Sequence, residues 1–317
     1  MKTIIVPLDG SALAEQVLPY VQLYAPLLEA QVVLLRAVTD EELRAYLFWH
    51  AAELNDDPLH GGDVPREGRA LAALTERAAA YLEAQAAPLR AAGLQVTTEA
   101  PVSEPAEGIV AAAQRHPEAL IMLATHGYSG LKRWTLGSTA DKVVHSTSAP
   151  VFLVRAGVTA PQPLALRRIL VPLDGSALAE QALPVAIELA RRAKAELVLL
   201  RAVLPFTEFA PALAPLARPI PVPGEAIDEE YEQARKQLQL VAEQIARPEL
   251  TITWVTELGY PAEVILAEAS AHQVDLIVMA THGRSGIQRW VLGSVADKVL
   301  HAAHTPLLLV RAHGEQG

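Results

Sequence analysis

The 317-residue sequence contains no cysteine. It can therefore form no disulfide bond, no thiolate metal site and no cysteine nucleophile, as is usual for proteins of reducing compartments. No uninterrupted apolar run approaches the ~18 residues that a membrane-spanning helix requires, and the first residues show no signal-peptide pattern. We therefore expect a soluble, cytoplasmic protein that does not bind a membrane.

Positive charge is also scarce. The chain has 26 Lys and Arg residues against 36 Asp and Glu residues, which gives a formal net charge of -10, and it has no run of basic residues. Nucleic-acid-binding surfaces need a cluster of basic side chains, so we expect no nucleic-acid partner. Small molecules and other proteins are the partners that this composition favours.

An internal repeat dominates the sequence. Residues 5–16, Ile-Val-Pro-Leu-Asp-Gly-Ser-Ala-Leu-Ala-Glu-Gln, recur with one substitution as residues 170–181. A second motif, Thr-His-Gly followed by nine residues and Gly-Ser, occurs at 125–138 and again at 281–294. Because the repeat period is the size of a domain, it indicates a tandem duplication and not a solenoid. We predict one domain over 1–156, a proline-containing linker over 157–167 and a second domain over 168–312.

Apolar strands and helices alternate in each half. Runs such as Thr3 to Leu8 and Leu276 to Ala280 are apolar at nearly every position, which is typical of parallel strands covered by helices on both faces. The fold class is therefore α/β, with two doubly wound parallel sheets in tandem. We predict strands at 3–8, 32–38, 94–100, 120–124 and 151–154, and at 168–173, 196–203, 251–258, 276–280 and 307–310. We predict helices at 12–28, 70–92, 103–116 and 138–146, and at 177–193, 227–246, 262–272 and 294–302. Insertions that lack this pattern lie at 39–66, where 41–54 is partly helical, and at 204–225.

The motifs lie where strands end. Asp9 and Asp174 follow the first strand of each half, and the glycine-punctuated loop follows the fourth. Ligands of doubly wound sheets bind at the carboxyl ends of strands, where the strand order reverses, so the two motifs would share one crevice. A helix N-terminus preceded by glycines binds phosphate well, and Ser294 is placed to cap that helix.

Several polar residues have more than one interpretation. Asp9 and Asp174 would accept hydrogen bonds from a ligand or cap a helix, although Ser11 and Ser176 are also placed to cap it. His126 and His282 have no serine or carboxylate partner beside them in sequence, so they are poor catalytic candidates. Arg133 and Arg289 would contact a phosphate or remain solvated, and Trp134 and Trp290 are expected to pack.

These motifs resemble those of universal stress protein domains, and the resemblance covers nearly the whole chain outside the linker, insertions and tail. The family signature is Gly, two residues, Gly, nine residues, then Gly-Ser or Gly-Thr. Its second and third elements are intact here, as Gly127 with Gly137-Ser138 and as Gly283 with Gly293-Ser294. Ala124 and Ala280 replace the first glycine, and a methyl group there narrows the approach to a ligand.

The resemblance implies a five-stranded parallel sheet in the order 3-2-1-4-5 in each domain, with paired domains joined through the fifth strand. It also implies that each domain binds ATP accompanied by Mg²⁺, and that the protein acts in stress response or regulation without being an enzyme. Homo-oligomers and an unidentified protein partner are compatible with it. The nucleotide-binding residues that it implies are Pro7, Asp9, Ala37, Leu123, Gly127, Gly137, Ser138 and Thr139 in the first half, and Pro172, Asp174, Ala202, Met279, Gly283, Gly293, Ser294 and Val295 in the second.

Two alternatives to this function differ in class. The two alanines leave open a nucleotide-free universal stress protein that acts as a scaffold through domain pairing and protein partners. An adenylate-forming enzyme on a related fold would carry a His-Ile-Gly-His-like or Ser-Gly-Gly-x-Asp-Ser-like motif after the first strand, and neither occurs. A two-component receiver is also disfavoured, because Asp9 has no acidic neighbour to help bind a metal.

Overall fold

The computed structural model describes residues 1–50, 66–116, 118–125, 136–155, 157, 164–204, 224–281 and 292–312. The chain divides into two compact units, Met1–Leu164 and Ala165–Gly317. Each unit is an α/β domain with a hydrophobic core.

The described residues of the first unit form five strands and five α-helices. The strands are β1 (Thr3–Pro7), β2 (Gln31–Leu35), β3 (Val96–Glu99), β4 (Ala119–Thr125) and β5 (Val151–Arg155). A 3-10 helix spans Ala14–Val17, and the α-helices are α1 (Leu18–Leu28), α2 (Asp40–Trp49), α3 (Arg66–Ala91), α4 (Pro105–Arg115) and α5 (Ser138–Ser146).

The second unit repeats the series. Its strands are β6 (Arg168–Pro172), β7 (Glu196–Val203), β8 (Thr251–Leu258), β9 (Leu276–Ala280) and β10 (Leu307–Val310). Its helices are α6 (Ala177–Glu180), α7 (Leu183–Ala193), α8 (Gly224–Ile245), α9 (Pro261–Ala271) and α10 (Ser294–Ala302). No helix in the described ranges is long and apolar enough to cross a membrane.

Both sheets have the predicted topology. The order is β3-β2-β1-β4-β5 in the first unit and β8-β7-β6-β9-β10 in the second, and the paired strands within each unit are parallel. Ile4 lies opposite Val32 on one side of β1 and opposite Leu120 on the other. The chain reverses its strand order between β1 and β4, and between β6 and β9, so each unit has one switch point. The α/β, doubly wound fold class is confirmed.

Burial explains why these segments form strands. Ile4, Ile5 and Val6 of β1 and Ile169, Leu170 and Val171 of β6 are completely buried. A strand covered by helices on both faces needs apolar side chains at consecutive positions, and these two runs supply them. The core of each unit is therefore centred on its first strand.

The first helix of each half is shorter than predicted. The predicted helix 12–28 is divided into the 3-10 helix and α1, and the predicted helix 177–193 into α6 and α7. Pro19 and Pro184 lie in the first turn of α1 and α7. Because proline has no N–H and its ring collides with the carbonyl four residues earlier, neither helix can extend back through it.

The insertions are described in part. Residues 40–49 form α2, whose N-terminus is a capping box made by Thr39 and Glu42. The predicted helix 41–54 ends earlier, with His50 as its C-cap, and residues 51–54 lie outside the described residues. Strand β2 ends at Leu35, and beyond it Val38 forms an isolated parallel bridge with Val102. Of the insertion at 204–225, residues 205–223 lie outside the described residues, and α8 begins at Gly224.

Candidate functional site

A cavity of about 630 Å³ lies at the carboxyl ends of β6, β7 and β9 in the second unit. Ligand pockets typically measure ~300–1,000 Å³, so this volume is enough for a nucleotide. All of the predicted second-half residues within the described ranges line it, namely Pro172, Asp174, Ala202, Met279, Gly293, Ser294 and Val295. The topology thus brings into one cavity residues that lie more than a hundred positions apart in the sequence.

The N-terminus of α10 forms one end of this cavity. Gly293 is its N-cap residue, and its N–H donates to the Thr281 carbonyl at 2.8 Å. In the part of the chain that the structure describes, no side chain caps this helix. The first helical hydrogen bond runs from the Asp297 N–H to the Gly293 carbonyl, so the N–H groups of Ser294, Val295 and Ala296 have no partner within the helix. Together with the helix dipole, these N–H groups make this end of the cavity suitable for an anion.

The expectation that Ser294 caps this helix is wrong. Ser294 is the first helical residue, and Ser138 occupies the same position in α5, after Gly137. The capping side chain must belong to the residue before the helix, which here is a glycine with no side chain. In both helices the N-cap residue therefore offers no side-chain acceptor to the first N–H groups.

The structure excludes one of the two interpretations of Asp174, that of a helix cap. Its Oδ1 accepts hydrogen bonds from the Ser176 N–H at 3.0 Å and the Ser176 Oγ at 2.6 Å. Ser176 itself is the N-cap of α6, because its Oγ accepts from the Ala179 N–H at 3.1 Å. Asp174 is thus not the cap, and its carboxylate lies in a turn that lines the cavity.

The same turn occurs in the first unit. Asp9 Oδ1 accepts from the Ser11 N–H at 2.9 Å, and Ser11 Oγ accepts from the Ala14 N–H at 3.1 Å. The serine again holds the N–H of the following helical turn, while the aspartate fixes the loop. The repeated Asp-Gly-Ser motif therefore encodes the same local geometry twice.

The cavity has further walls that the sequence motifs did not identify. Apolar lining comes from Pro261 and Ile265 of α9, and polar lining from Arg201, Glu230 and Thr281. Thr281 belongs to the repeated Thr-His-Gly motif, and Arg201 to a second short repeat, Leu-Leu-Arg-Ala-Val, found at 34–38 and 199–203. Comparing the repeats at single-residue level would have found both, whereas no sequence signal marked Glu230, Pro261 or Ile265.

The first unit places its predicted residues at the equivalent edge. Pro7 ends β1 and Asp9 follows it, Ala37 lies two residues after the end of β2, and Leu123 is in β4. Gly137, Ser138 and Thr139 are at the N-terminus of α5, as their counterparts are in α10. Since β2, β1 and β4 are adjacent and parallel, all of these positions belong to one edge of the sheet.

A polar network in the first unit lies near Asp9. The Tyr81 hydroxyl donates to Glu15 Oε1 at 2.8 Å, Gln85 donates to the same oxygen at 3.1 Å, and the Arg36 guanidinium carbon lies 5.7 Å from the Tyr81 ring centre. Burial first, and then the hydrogen bond to Glu15, raise the pKa of Tyr81 far above its usual range. The hydroxyl therefore remains a donor at any physiological pH.

Part of the predicted site cannot be placed. The loop residues Gly127 and Gly283 lie outside the described residues, as do His126, His282, Arg133, Arg289, Trp134 and Trp290. Ala124 and Ala280, which replace the first signature glycine, are both buried at the ends of β4 and β9, and Ala280 lines the cavity.

Comparison with known proteins agrees with these features. The profile of the universal stress protein family matches residues 1–155 and again residues 165–311. A universal stress protein of Mycolicibacterium smegmatis is 30% identical over 224 residues, which cover 69% of this chain and 70% of that protein. One of Mycobacterium tuberculosis is 28% identical over 196 residues, which cover 61% of each protein.

The same relationship appears in three dimensions. The crystal structure of a universal stress protein from Archaeoglobus fulgidus matches with a TM-score of 0.69 and 19% identity, over 98% of both chains. At that identity the likeness shows a shared fold, here across both units. With two family matches that together span nearly the whole sequence, the chain belongs to the universal stress protein family as a protein with two such domains in tandem.

Proposed function

We propose that this protein binds ATP, accompanied by Mg²⁺, in the cavity of the second unit and in the equivalent crevice of the first, and that it acts in stress response as a regulator. The observation that carries the proposal is the 630 Å³ cavity, because a family signature and an independent geometric feature coincide there. Nucleotide occupancy would then change the contacts of the protein with its partners.

The groups lining the cavity match the parts of a nucleotide. The N–H groups at the start of α10 suit phosphates, and the Asp174 carboxylate suits ribose hydroxyls. The apolar surface of Ile265, Met279 and Ala202 suits a base. No cluster of three or more His, Asp or Glu residues that would hold a metal ion occurs among the described residues. Mg²⁺ would therefore depend on the phosphates for most of its ligands, as it usually does with nucleotides.

The proposal that the protein is not an enzyme rests on its family, whose members are generally regarded as non-enzymatic stress proteins. Its test is direct. Purified protein incubated with ATP and Mg²⁺ should release no more phosphate than a Gly137→Val, Gly293→Val double variant, whereas faster release from the parent protein would contradict the proposal.

Nucleotide binding is tested first by mass spectrometry of the material released when the purified protein is denatured. Calorimetric titration of ATP with Mg²⁺ into Gly293→Val and Gly137→Val variants then examines each unit alone. Gly293 has φ −61° and ψ 146°, a conformation that valine adopts without strain, so the substitution should fill the cradle and leave the fold intact. Each variant should lose one site.

The second candidate function is the nucleotide-free scaffold. Ala280 favours it, because its methyl group lies in the wall of the cavity where the family signature has a glycine. Ala280→Gly separates the two functions. If the methyl limits binding, the variant should bind ATP more tightly than the parent protein, and failure of both to bind would leave the scaffold as the function.

We further propose that the two units pair through their fifth strands, β5 and β10, as the family resemblance implies. Both strands are short and apolar and end their sheet in the strand order of their own unit. Because the parent chain has no cysteine, one cysteine introduced in each strand would form a disulfide only if the two strands were adjacent. Failure of every such pair to form a disulfide would contradict the pairing.

A further inference from the structure

Two arginines occupy the same position in the repeat but have different surroundings. Arg36 follows β2 in the first unit, and Arg201 lies at the corresponding place near the end of β7, each within a Leu-Leu-Arg-Ala-Val segment. Identical local sequence would give both residues the same role. In the structure, however, the two side chains contact different groups.

Arg201 is packed into the second unit. Only 8% of the residue is exposed, and it lines both the 630 Å³ cavity and a neighbouring cavity of about 310 Å³ on the side of α8. A methyl group built on Gly175 would lie 2.6 Å from Arg201 Nη1. The guanidinium therefore lies directly against the turn that carries Asp174.

Arg36 is engaged elsewhere. Its Nη2 donates to Glu42 Oε1 of α2 at 3.1 Å, and its guanidinium lies over the Tyr81 ring. A methyl group built on Gly10, the counterpart of Gly175, would meet nothing within 4 Å. Among the described residues of the first unit, no guanidinium therefore lies against the Asp-Gly-Ser turn.

The strand order says which part of a ligand Arg201 would meet. Strands β7, β6 and β9 lie side by side, and neighbouring strands are ~4.8 Å apart. The anion-binding end of the cavity follows β9, whereas Arg201 is on β7, two strands away. A nucleotide with its phosphates at α10 would pass Asp174, which follows β6, and present its nucleoside to Arg201.

We propose, on the basis of the proposed function, that Arg201 contacts the nucleoside part of the bound nucleotide and makes the second unit the tighter of the two sites. A guanidinium donates to ribose oxygens and to base nitrogens, or stacks on the face of a base. None of these interactions needs the phosphates. The gain in affinity from Arg201 is therefore the same for adenosine as for ATP.

Calorimetry measures the affinity for adenosine, and for ATP with Mg²⁺, at one site while the site in the other unit is blocked. In the Gly137→Val background, Arg201→Gln should weaken the binding of both ligands by the same factor. We expect about tenfold, for the loss of a hydrogen bond from a charged donor. In the Gly293→Val background, Arg36→Gln is the matched control and should change either affinity less than twofold. Weaker binding of ATP alone would overturn the proposal, because it would place Arg201 at the phosphates.

A second experiment moves the Arg201 guanidinium without removing it, by replacing Gly175, and uses the matching change at Gly10 as its control. Gly175 has φ +78° and Gly10 has φ +86°, so an alanine at either position carries the same backbone strain. Only Gly175→Ala displaces Arg201, and we expect it to weaken adenosine binding while Gly10→Ala, tested in the Gly293→Val background, does not. Thermal melting of each variant checks that it is folded.

The outcomes separate this inference from the proposed function. If the parent protein binds neither ATP nor adenosine, the proposed function fails and the inference fails with it. If the parent binds both and Arg201→Gln binds them equally well, the inference alone is overturned. An equal loss in Gly10→Ala and Gly175→Ala would also overturn it, since strain and not displacement of Arg201 would be the cause.

Discussion

Ser176 performs two tasks where Ser11 performs one, and this difference gives a measurable asymmetry between the repeats. Ser176 Oγ accepts from the Ala179 N–H at 3.1 Å and also donates to Asp174 Oδ1 at 2.6 Å. Ser11 Oγ accepts from the Ala14 N–H at 3.1 Å. Replacing Ser176 by alanine removes a helix cap and a hydrogen bond to a carboxylate.

The magnitudes follow from these contacts. Loss of an N-cap serine costs about 1 kcal/mol of unfolding free energy. Loss of the second bond adds about 1 kcal/mol, the value of an ordinary hydrogen bond, because the turn is only half-buried. Ser176→Ala should therefore cost about 2 kcal/mol. Ser11→Ala, which removes one hydrogen bond to a backbone N–H, should cost about 1 kcal/mol. For a unit of this size each kcal/mol lowers the melting temperature by ~2–4 °C.

Differential scanning calorimetry of the full chain tests this difference. We expect the transition of the second unit to fall by about 4–8 °C in Ser176→Ala and that of the first by about 2–4 °C in Ser11→Ala. Ser176→Thr retains the hydroxyl and should recover most of the loss. Equal shifts in the two alanine variants would refute the reasoning, since they would mean that the Asp174 bond contributes nothing.

Two further predictions concern stability. Arg168 Nε donates to Glu196 Oε2 at 2.7 Å, and this bond lowers the pKa of Glu196 below its usual value. A carboxyl group with a lowered folded pKa stabilises the fold while it is ionised, and this stabilisation is lost as the pH falls through that pKa. Glu196→Gln should thus melt earlier than the parent at pH 7, with the difference shrinking below about pH 4, and a constant difference across that range would contradict the assignment. Leu82 of α3 is completely buried, so Leu82→Ala should cost about 2–5 kcal/mol in chemical denaturation, whereas Leu240→Ala on the exposed face of α8 should cost less than about 1 kcal/mol.

Local sequence predicted the strands well because their chemistry is local. Leu276 to Ala280 and Thr251 to Leu258 were predicted with the bounds that the structure has. The first is a continuous apolar run and the second largely alternates polar and apolar residues, and both patterns are typical of strands. The first helices were predicted too long because helical periodicity continued through Pro19 and Pro184, although neither residue has an N–H to continue the hydrogen-bond ladder. The sequence pattern placed the helix cap one position too late, at Ser294. Only the backbone dihedral angles of Gly293 show that this glycine is the N-cap.

The sequence by itself determined that this is a duplicated α/β protein of the universal stress protein family, because the repeated motif and the continuous apolar strands can be recognised from the order of the residues alone. It also determined that Asp174 and the α10 N-terminus lie at the same edge of a sheet. Only the tertiary structure decided that Ser176 and not Asp174 caps the helix, and that α9 and Glu230 complete the cavity wall. It alone also distinguished Arg201 from Arg36, because a side chain's surroundings depend on the elements packed against it: Arg36 bonds to Glu42 of α2, whereas Arg201 lines a cavity beside α8.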